Sequence, residues 1–435
     1  LGTHVGLRYC LEAAKGKFSL SLDADDLLTP DAIAILNKAV LEHPDDSIFY
    51  TDEDLLIAEA PQHHFCRPDF DPVLIKEHSY IWHAILFKTE LARTLDVYTS
   101  GENEYAQDWD TLLKFHFAGY NAVHIPEVIY HWRQHSNSLS HSGSVNEGTI
   151  RSVKNILDMV IQKSAIPNNF EVASFHQDQA MPTFYIRRKE LSPPPVRLIR
   201  TGTMNNIECE HQFPFASASM HSGSRDVDGI SELNQLIQAC DEPYLALVNS
   251  GIFDPEGKCF WQALKHFELT PSVVAVGGPL VKQDQSIYFG AGVHLNDSTL
   301  IDPFSGLSIK DPSYFSIAAR PHCVDVLSID LMMVKREFLL VALARAPKTL
   351  ALRSLGTWVA TIARKQNEKL VYEPGMRGDI CQRSLLVHDG IDGLNRSLSQ
   401  YSISGPINSK LYSDGINWPL LGLASFKLHE LRHAT

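Results

Sequence analysis

Paired cysteines, long apolar runs and an excess of positive charge are all missing from this sequence. Seven cysteines are scattered over 435 residues with no close pair, so neither a zinc site nor a disulfide framework is indicated, and a reducing compartment is expected. Lys and Arg number 38 against 51 Asp and Glu, and the formal net charge of -13 argues against nucleic-acid binding. No signal-peptide pattern and no membrane-spanning run is present. We therefore expect a cytoplasmic protein, soluble or peripheral at the inner face of the membrane.

The length and composition are those of a globular protein with more than one domain. A chain of 435 residues typically forms roughly two to three domains, and a hydrophobic content of 44% is enough to build full cores. The Ser-Pro-Pro-Pro segment at residues 192–195 is typical of a stiff linker. We predict a first domain over residues 1–145, a helix and linker over 146–194, and a second domain over 195–435.

Three carboxylates crowd the end of a short alternating apolar run. Phe18, Leu20 and Leu22 alternate with serines, as in a half-buried strand, and lead into residues 23–26 (Asp-Ala-Asp-Asp). Such a strand places these charges at the carboxyl edge of a sheet, where ligands of open α/β sheets bind. Because the anions repel one another, we expect a hard divalent cation there, bridging to phosphate oxygens. An EF-hand calcium loop fits less well, since its glycine is missing and Ala34 stands in place of the bidentate glutamate.

Helices and strands alternate around this acidic turn. One helix is predicted from about residue 5 to 14 and closed by Gly16, and another begins at the capping hydroxyl, proline and acid of residues 29–31. A second strand follows near residues 47–50. The order of helix, strand, acidic turn, helix and strand predicts an α/β domain with a mostly parallel sheet.

A second group of candidate functional residues lies at the start of a later helix. An amphipathic segment begins at Gln107-Asp108 and ends at Gly119, so Asp108 lies near a helix N-terminus, where a carboxylate is stabilised as the anion. An aromatic strand follows and ends in residues 130–135 (Tyr-His-Trp-Arg-Gln-His). Its arginine has three candidate partners, namely a phosphate group and the carboxylates of Asp110 and Glu127.

These blocks, in this order, resemble family 2 glycosyltransferases of the GT-A fold. The resemblance implies a Rossmann-like mixed sheet flanked by helices. It also implies that Asp23, Asp25 and Asp26 form an Asp-x-Asp site that holds Mg2+ or Mn2+ against the diphosphate of a nucleotide-sugar donor, with Asp23 and Asp25 as metal ligands. His135 matches a histidine that is a further metal or diphosphate ligand in some relatives; a surface or packed histidine is the alternative. For the acidic turn alone, a solvated loop is an equal alternative.

The same resemblance assigns the catalytic base to Asp108, the second member of the Gln-Asp pair. In glycosyl transfer an acceptor hydroxyl attacks the anomeric carbon while a nucleoside diphosphate leaves, so a single carboxylate base and a cation on the diphosphate suffice. A glycosidase would need a pair of carboxylates flanking the bond. The resemblance and the chemistry therefore predict transfer with inversion rather than hydrolysis.

The resemblance also suggests residues for the acceptor side of the site. Asp52 and Asp54 follow the second strand as they do in the family, although a solvated acidic loop is the alternative for most of residues 52–54. Trp82 and His83 lie in a segment that relatives use near the acceptor, where an aromatic ring can stack on a sugar. Core packing is the alternative for Trp82.

The sequence opens inside a family block, at a leucine rather than a methionine. Relatives have two earlier strands that cradle the nucleobase and ribose, and these are missing ahead of residue 17. We therefore expect a fragment whose first sheet has an open edge and which binds the donor poorly.

The second half resembles a diverged copy of the first. Residues 243–251 parallel the acidic strand, Asp254-Pro255 parallels Thr29-Pro30, and further stretches match later family blocks at residues 273–280, 290–293 and 331–336. Residues 249–251 (Asn-Ser-Gly) replace the metal-binding acids, and residues 355–358 replace the base without any carboxylate. We predict a non-catalytic copy that scaffolds the first domain or holds the glycan acceptor. A catalytic domain with a different site is the alternative.

Together these features predict an inverting glycosyltransferase. It would move a sugar from a nucleotide-sugar donor to a glycan or lipid-linked acceptor in surface polysaccharide synthesis. One alternative is a non-catalytic glycan-binding or scaffolding protein of the same fold. Another is a metal-dependent nucleotidyltransferase, which would release pyrophosphate. Donor sugar, acceptor and linkage depend on loop shape, which these motifs do not determine.

Overall fold

The computed structural model describes residues 2–134, 147–174, 184–191, 193–201, 229–249, 251–253, 259–296, 299–311 and 314–381. These residues form two compact units. Of the described residues, the first unit comprises those up to 163 together with those within 171–186, and the second comprises 164–170 and those within 187–381. Within the described ranges, no helix combines the length and the apolar composition needed to cross a membrane.

Helices and strands alternate in the first unit, as predicted. In chain order they are α1 (Thr3–Ala13), β1 (Phe18–Leu20), β2 (Leu27–Leu28), α2 (Ala32–Glu42), β3 (Ile48–Ile57), β4 (Ala60–Phe65), α3 (Leu74–Glu77), β5 (Ile85–Lys88), α4 (Thr89–Thr94), α5 (Gln107–Phe117), β6 (Val123–Arg133) and α6 (Glu147–Gln162). Strands β7 (Phe170–Ser174) and β8 (Phe184–Arg188) pair with each other.

The sheet of the first unit is mixed. Its strand order is β1-β5-β3-β6-β2, with β4 added to β3. Only the β3–β6 pair is parallel, so the expectation of a mostly parallel sheet is wrong. The reason is that β5 lies between β1 and β3 and runs antiparallel to both. Helix α2 packs on this sheet through Ala32, Leu36 and Ala39, which lie in one apolar core with Phe49 and Tyr130.

Two local predictions around the acidic turn need correction. The strand ends at Leu20, and Leu22 lies beyond it with 46% of its surface exposed, so the alternating pattern does not continue to the acids. Helix α2 has Asp31 rather than Thr29 at its N-cap, and the buried Thr29 hydroxyl makes no hydrogen bond. The Thr29 carbonyl instead accepts the Ala32 amide proton at 3.1 Å, so the backbone closes this turn.

The second unit also alternates helices and strands. Its elements are β9 (Val196–Thr201), α7 (Ile230–Gln238), β10 (Tyr244–Asn249), β11 (Ile252–Phe253), α8 (Cys259–Leu269), β12 (Val273–Gly277), β13 (Leu280–Val281), β14 (Ile287–Phe289), β15 (Val293–Asn296), β16 (Thr299–Ile301), β17 (His322–Val324), β18 (Leu331–Lys335), α9 (Arg336–Ala344), α10 (Leu355–Lys365), β19 (Lys369–Tyr372) and β20 (Gly378–Ile380). Its main sheet has the order β17-β19-β12-β18-β10-β9.

Four strands of each main sheet share one order and one set of directions. In the first unit β1-β5-β3-β6 pair as antiparallel, antiparallel and parallel neighbours. In the second unit β10-β18-β12-β19 pair in the same three ways. The second unit adds β9 parallel to β10 on the far side, whereas β1 is an edge strand among the described residues of the first unit.

Candidate active site

The acidic turn is held by hydrogen bonds from the aromatic strand β6. The Asp26 amide donates to the Asp23 carbonyl at 3.2 Å, which closes the turn. The Asp26 side chain is buried, and its two oxygens accept protons from the Tyr130 hydroxyl at 2.5 Å and the Arg133 amide at 2.7 Å. Asp23 and Asp25 remain exposed at the surface of the turn. The turn therefore offers one anchored carboxylate and two accessible ones.

Asp23, Asp26 and His83 form a group that fits a divalent cation. One ligand atom from each of the three lies within 4.8 Å of the others. Two carboxylates and an imidazole are a ligand set open to several divalent metals. Asp25, predicted as a ligand from sequence, is not one of these three residues, although its carbonyl accepts a proton from Arg133 Nε at 2.7 Å. His135, the other predicted ligand, lies outside the described residues.

His83 is oriented by a buried ion pair. Its Nδ1 lies 3.1 Å from Glu53 Oε2, and Glu53 pairs at 2.9 Å with Arg67, with both side chains fully buried. The imidazole also stacks on Tyr130 with ring centroids 5.0 Å apart. Burial alone would lower the pKa of His83, but the hydrogen bond and charge of Glu53, aided by Asp108, raise that pKa to about 9. The sequence placed Glu53 only among residues 52–54 on the acceptor side, and it gave no signal for Arg67.

Asp108 lies in the electrostatic environment of the acidic turn. It occupies the first turn of α5 and is half-buried. The pKa of Asp108 is raised to about 7: burial raises it most, the charges of Asp23 and Glu53 add to the rise, and His83 and Arg67 oppose it. Asp108 and Asp23 are therefore close enough for their charges to interact.

Tyr98 is a further residue of this region that sequence reasoning missed. Its buried hydroxyl is hydrogen-bonded to Ser21, just ahead of the acidic turn. Burial and the negative charges of Asp108 and Asp23 keep the pKa of Tyr98 far above its usual value, so the phenol stays neutral. Tyr98 has a positive backbone φ of 63°, which is uncommon for a residue other than glycine and is not readable from the sequence.

Residues 52–54 lie in strand β3 and are buried, which corrects the alternative of a solvated acidic loop. The Asp52 carboxylate accepts the Arg67 amide proton at 2.8 Å and pairs with His124 at 2.9 Å. The Asp54 carboxylate lies 2.6 Å from His131 Nδ1 and 3.5 Å from His64 Nδ1. Histidine and arginine partners compensate the buried charges, so this acidic run can lie in a strand.

Trp82 and Arg133 contact other parts of the site. The Trp82 indole is half-buried, donates to the Ser79 carbonyl at 3.1 Å, and packs edge-on against Trp132 at 6.4 Å. Arg133 pairs with Glu59 in addition to its bond to the acidic turn. Asp110, a predicted partner of Arg133, is paired with Lys114 at 2.8 Å instead.

Comparisons with known proteins return two curated relatives and several solved structures. The chain is 33% identical over 162 residues to the uncharacterized protein y4gI of Sinorhizobium fredii (strain NBRC 101917 / NGR234), covering 35% of this chain and 18% of that protein. It is 32% identical over 136 residues to the O-antigen biosynthesis protein RfbC of Myxococcus xanthus, covering 30% of this chain and 10% of that protein. The chain thus spans less than a fifth of either relative. No family model matches.

Among solved structures, the comparison finds TarS of S. aureus in complex with UDP-GlcNAc. It is 17% identical, with a TM-score of 0.30, over 38% of this chain and 48% of the TarS 1–349 chain. GalNAc-T7 with UDP, GalNAc and Mn2+ is 10% identical, with a TM-score of 0.31, over 49% of each chain. The described residues form an α/β protein with a mixed main sheet in each unit, as expected from its motifs.

Proposed function

We propose that the first unit carries the active site of an inverting glycosyltransferase of surface polysaccharide synthesis. The donor would be a nucleotide sugar and the acceptor a glycan or lipid-linked glycan. The observation that carries the proposal is the group of Asp23, Asp26 and His83, whose ligand atoms lie within 4.8 Å of one another. The half-buried carboxylate of Asp108, whose charge interacts with Asp23 and His83, supports it. The similarity to a protein named for O-antigen biosynthesis supports the pathway.

Asp108 would act as the base for the acceptor hydroxyl. A general base works best when its pKa lies near the working pH, and a value of about 7 meets that condition. Because His83 and Arg67 oppose the effect of burial, about half of the Asp108 carboxyl groups are ionised at a pH near this pKa of about 7. Its place in the first turn of α5 adds stabilisation by the helix N-terminus.

The acidic turn would hold Mg2+ or Mn2+. Asp23 and Asp25 are its exposed carboxylates, Asp26 is its anchored one, and the 4.8 Å grouping of ligand atoms fits a divalent ion. When bound, the ion offsets the negative charge that develops on the departing nucleoside diphosphate. His135 stays a predicted ligand.

The acceptor side retains Trp82 and Asp54 from its predicted residues. Trp82 presents a half-buried ring beside Trp132, which suits stacking on a sugar. Asp54 is buried and paired with the partly exposed His131, so we propose that it acts on the acceptor through this ring. Asp52, which was predicted beside it, is paired with a buried histidine, His124, whose two ring nitrogens both lie on carboxylates, so this pair is assigned a structural role. His83 was also predicted on this side, and its cation-facing position is considered below.

We further propose that the second unit is a non-catalytic copy of the first. Strand pairing supports this. Phe18 pairs with Lys88 and Tyr244 pairs with Lys335, so Phe18 and Tyr244 occupy equivalent positions in the two sheets. Five residues after each of them, Asn249 takes the position of Asp23. The buried Asn249 side chain is turned to accept the Gly251 amide proton at 2.8 Å. An amide committed to its own turn is a poor cation ligand.

The base position of the second unit is closed by backbone. Asp108 and Gly356 are each the second residue of an 11-residue helix, α5 and α10. A Cβ at Gly356 would lie 2.3 Å from the Leu327 carbonyl oxygen, a distance that real Cβ atoms do not show. No side chain fits there, so this unit is proposed to scaffold the first or to hold the glycan acceptor.

The test is a transfer assay on the whole chain with a panel of nucleotide sugars and Mn2+. Wild type should release nucleoside diphosphate in an acceptor-dependent way, and Asp108→Asn should lose about 10²-fold or more of kcat. Glu42→Gln, an exposed acid on α2, is the matched control and should keep full activity. Release of pyrophosphate would instead indicate a nucleotidyltransferase. Glycan binding without turnover of any donor would favour the non-catalytic alternative.

A further inference from the structure

We propose that His83 is the third protein ligand of the cation at the acidic turn, and that Glu53 and Arg67 act as its positioning residues. The proposal rests on the cation site of the proposed function and deepens it. It replaces the acceptor role predicted for His83 and makes the site independent of His135. Its basis is the geometry around the His83 imidazole.

The two nitrogens of the His83 ring have different roles in this proposal: Nδ1 is hydrogen-bonded to Glu53, and Nε2 binds the cation. A metal-bound histidine almost always donates its other ring N–H to a carboxylate, carbonyl or water, which sets the tautomer and the ring orientation. The hydrogen bond of Nδ1 to Glu53 Oε2 at 3.1 Å is such a contact. The imidazolium loses one proton when it binds a cation; with the remaining proton on Nδ1, Nε2 carries the lone pair for a cation shared with Asp23 and Asp26.

Tyr130 holds two of the three proposed ligands in place. Its ring stacks on His83 at an interplanar angle of 7°, and its hydroxyl donates to Asp26 Oδ2 at 2.5 Å. The hydroxyl also lies 3.4 Å from the Asp23 amide, which donates to it. One buried side chain in strand β6 therefore fixes the spacing between the imidazole and the acidic turn.

The two residues behind His83 are fully buried and held by hydrogen bonds. Glu53 and Arg67 have no exposed side-chain surface, and the guanidinium is further tied to the Tyr80 carbonyl at 3.0 Å and the Thr51 carbonyl at 3.1 Å. A buried carboxylate is costly unless it is paired, and Arg67 supplies the pair. The arrangement keeps Glu53 ionised, with its pKa lowered by Arg67 and His83 against the opposing effect of burial.

The second unit provides an internal comparison for this group. Asp330 lies five residues before Lys335 as His83 lies five before Lys88, the strand pairs being equivalent. Val276 occupies the sheet position of Phe49. Four residues further along each chain segment, Leu280 therefore takes the position of Glu53. The second unit therefore has neither the imidazole nor its orienting carboxylate at the equivalent positions, and it also has Asn249 in place of Asp23. A joint loss is what a shared role predicts.

The experiment measures Mn2+ on the whole chain without any donor. Electron paramagnetic resonance gives the affinity, and the ¹⁴N modulation of bound Mn2+ reports a nitrogen ligand. We expect wild type to show the nitrogen signal and His83→Ala to lose it, with at least about 10-fold weaker binding. Glu53→Gln should weaken binding by roughly 10- to 100-fold. His116→Ala, whose ring contacts Asn121, is the control and should match wild type.

The experiment distinguishes failure of the His83 assignment from failure of the proposed function. A nitrogen signal that survives His83→Ala and disappears in His135→Ala overturns the proposal, as does wild-type affinity in His83→Ala. Since Glu53→Gln weakens the buried pair with Arg67, thermal unfolding is recorded for each variant and His83→Ala decides the question. Mn2+ bound through His83 in a protein that transfers no sugar would contradict the proposed function and leave the ligand assignment intact.

Discussion

The Tyr130 hydroxyl donates a hydrogen bond of 2.5 Å to the buried carboxylate of Asp26. This contact joins the acidic turn to strand β6, and the two residues are 104 positions apart in sequence. Because the acceptor is charged and buried, the bond belongs to the stronger class of hydrogen bonds. The position of the turn relative to the rest of the site therefore depends on it.

We expect Tyr130→Phe to destabilise the first unit by about 1.5–3 kcal/mol, since the ring still stacks on His83 while Asp26 loses a donor. Urea unfolding followed by circular dichroism measures the change. Tyr120→Phe removes a hydroxyl from a ring that is 39% exposed and should change stability by less than about 0.5 kcal/mol. Equal changes in stability for the two variants would show that the hydrogen bond from Tyr130 to Asp26 adds no stability beyond that of an exposed hydroxyl.

His124 should make the first unit less stable as the pH rises above neutrality. Burial would lower the pKa of His124, but its pairing with Asp52 and Asp69 raises it to about 9. A folded-state pKa above the unfolded value of about 6.5 stabilises the protein fully below pH 6.5, and this stabilisation is lost as the pH rises through 9. Urea unfolding at pH 6, 7.5 and 9 should show this decline.

The matched variant for this pH dependence is His124→Gln, which cannot titrate. We expect its stability to be lower than that of wild type at pH 6 and the difference between the two proteins to shrink toward pH 9. His43→Gln changes an exposed histidine and should leave the wild-type profile unchanged. A constant difference between wild type and His124→Gln at all three pH values contradicts the assigned pairing.

Glu373 should have the opposite effect in the second unit. Although burial would raise its pKa, the Lys265 ammonium and the hydrogen bond and charge of His266 hold the pKa of Glu373 at about 2. A lowered folded-state pKa stabilises the unit above the unfolded value of about 4.5, and this stabilisation is lost as the pH falls through 2. Hydrogen exchange in β19 at pH 5, 4 and 3 should report progressive loss of protection, and a Glu373→Gln variant should show a smaller change.

Two glycine substitutions in helices should have effects of opposite sign. Gly356→Ala in α10 places a Cβ 2.3 Å from the Leu327 carbonyl and should destabilise the second unit by about 1–3 kcal/mol. Gly6→Ala in α1 meets nothing within 4 Å and should stabilise the first unit by about 0.5–1 kcal/mol. Denaturant midpoints measure both. A neutral Gly356→Ala would mean that the base position of the second unit is open after all.

Local sequence patterns predicted the elements that carry the site. Helix α5 begins at Gln107, as the periodicity indicated, and Gly119 follows it with a φ of 91°, which glycine adopts without strain. The helix predicted within residues 146–194 is observed as α6. Such features depend on neighbouring residues, so they are legible in a single sequence.

Other features of the site were wrong or missed for a physical reason. The acids of residues 52–54 resemble a solvated loop because their compensating partners, among them Arg67, His124 and His131, come from other strands and loops. The mixed direction of the sheet could not be read locally, because β5 inserts between β1 and β3 from later in the chain. Charge compensation and strand pairing are long-range, and a local pattern does not contain them.

By itself, the sequence determined the α/β class, the acidic turn and the helix that presents Asp108, because hydrophobic period, helix-start residues and clustered carboxylates are properties of short stretches. Only the tertiary structure decided which groups meet. It brought His83 to Asp23 and Asp26, placed Glu53 and Arg67 behind it, and raised the pKa of Asp108 to about 7. Burial and electrostatic coupling arise only when distant segments pack, and these two effects set the pKa values and the spacing of the acidic groups.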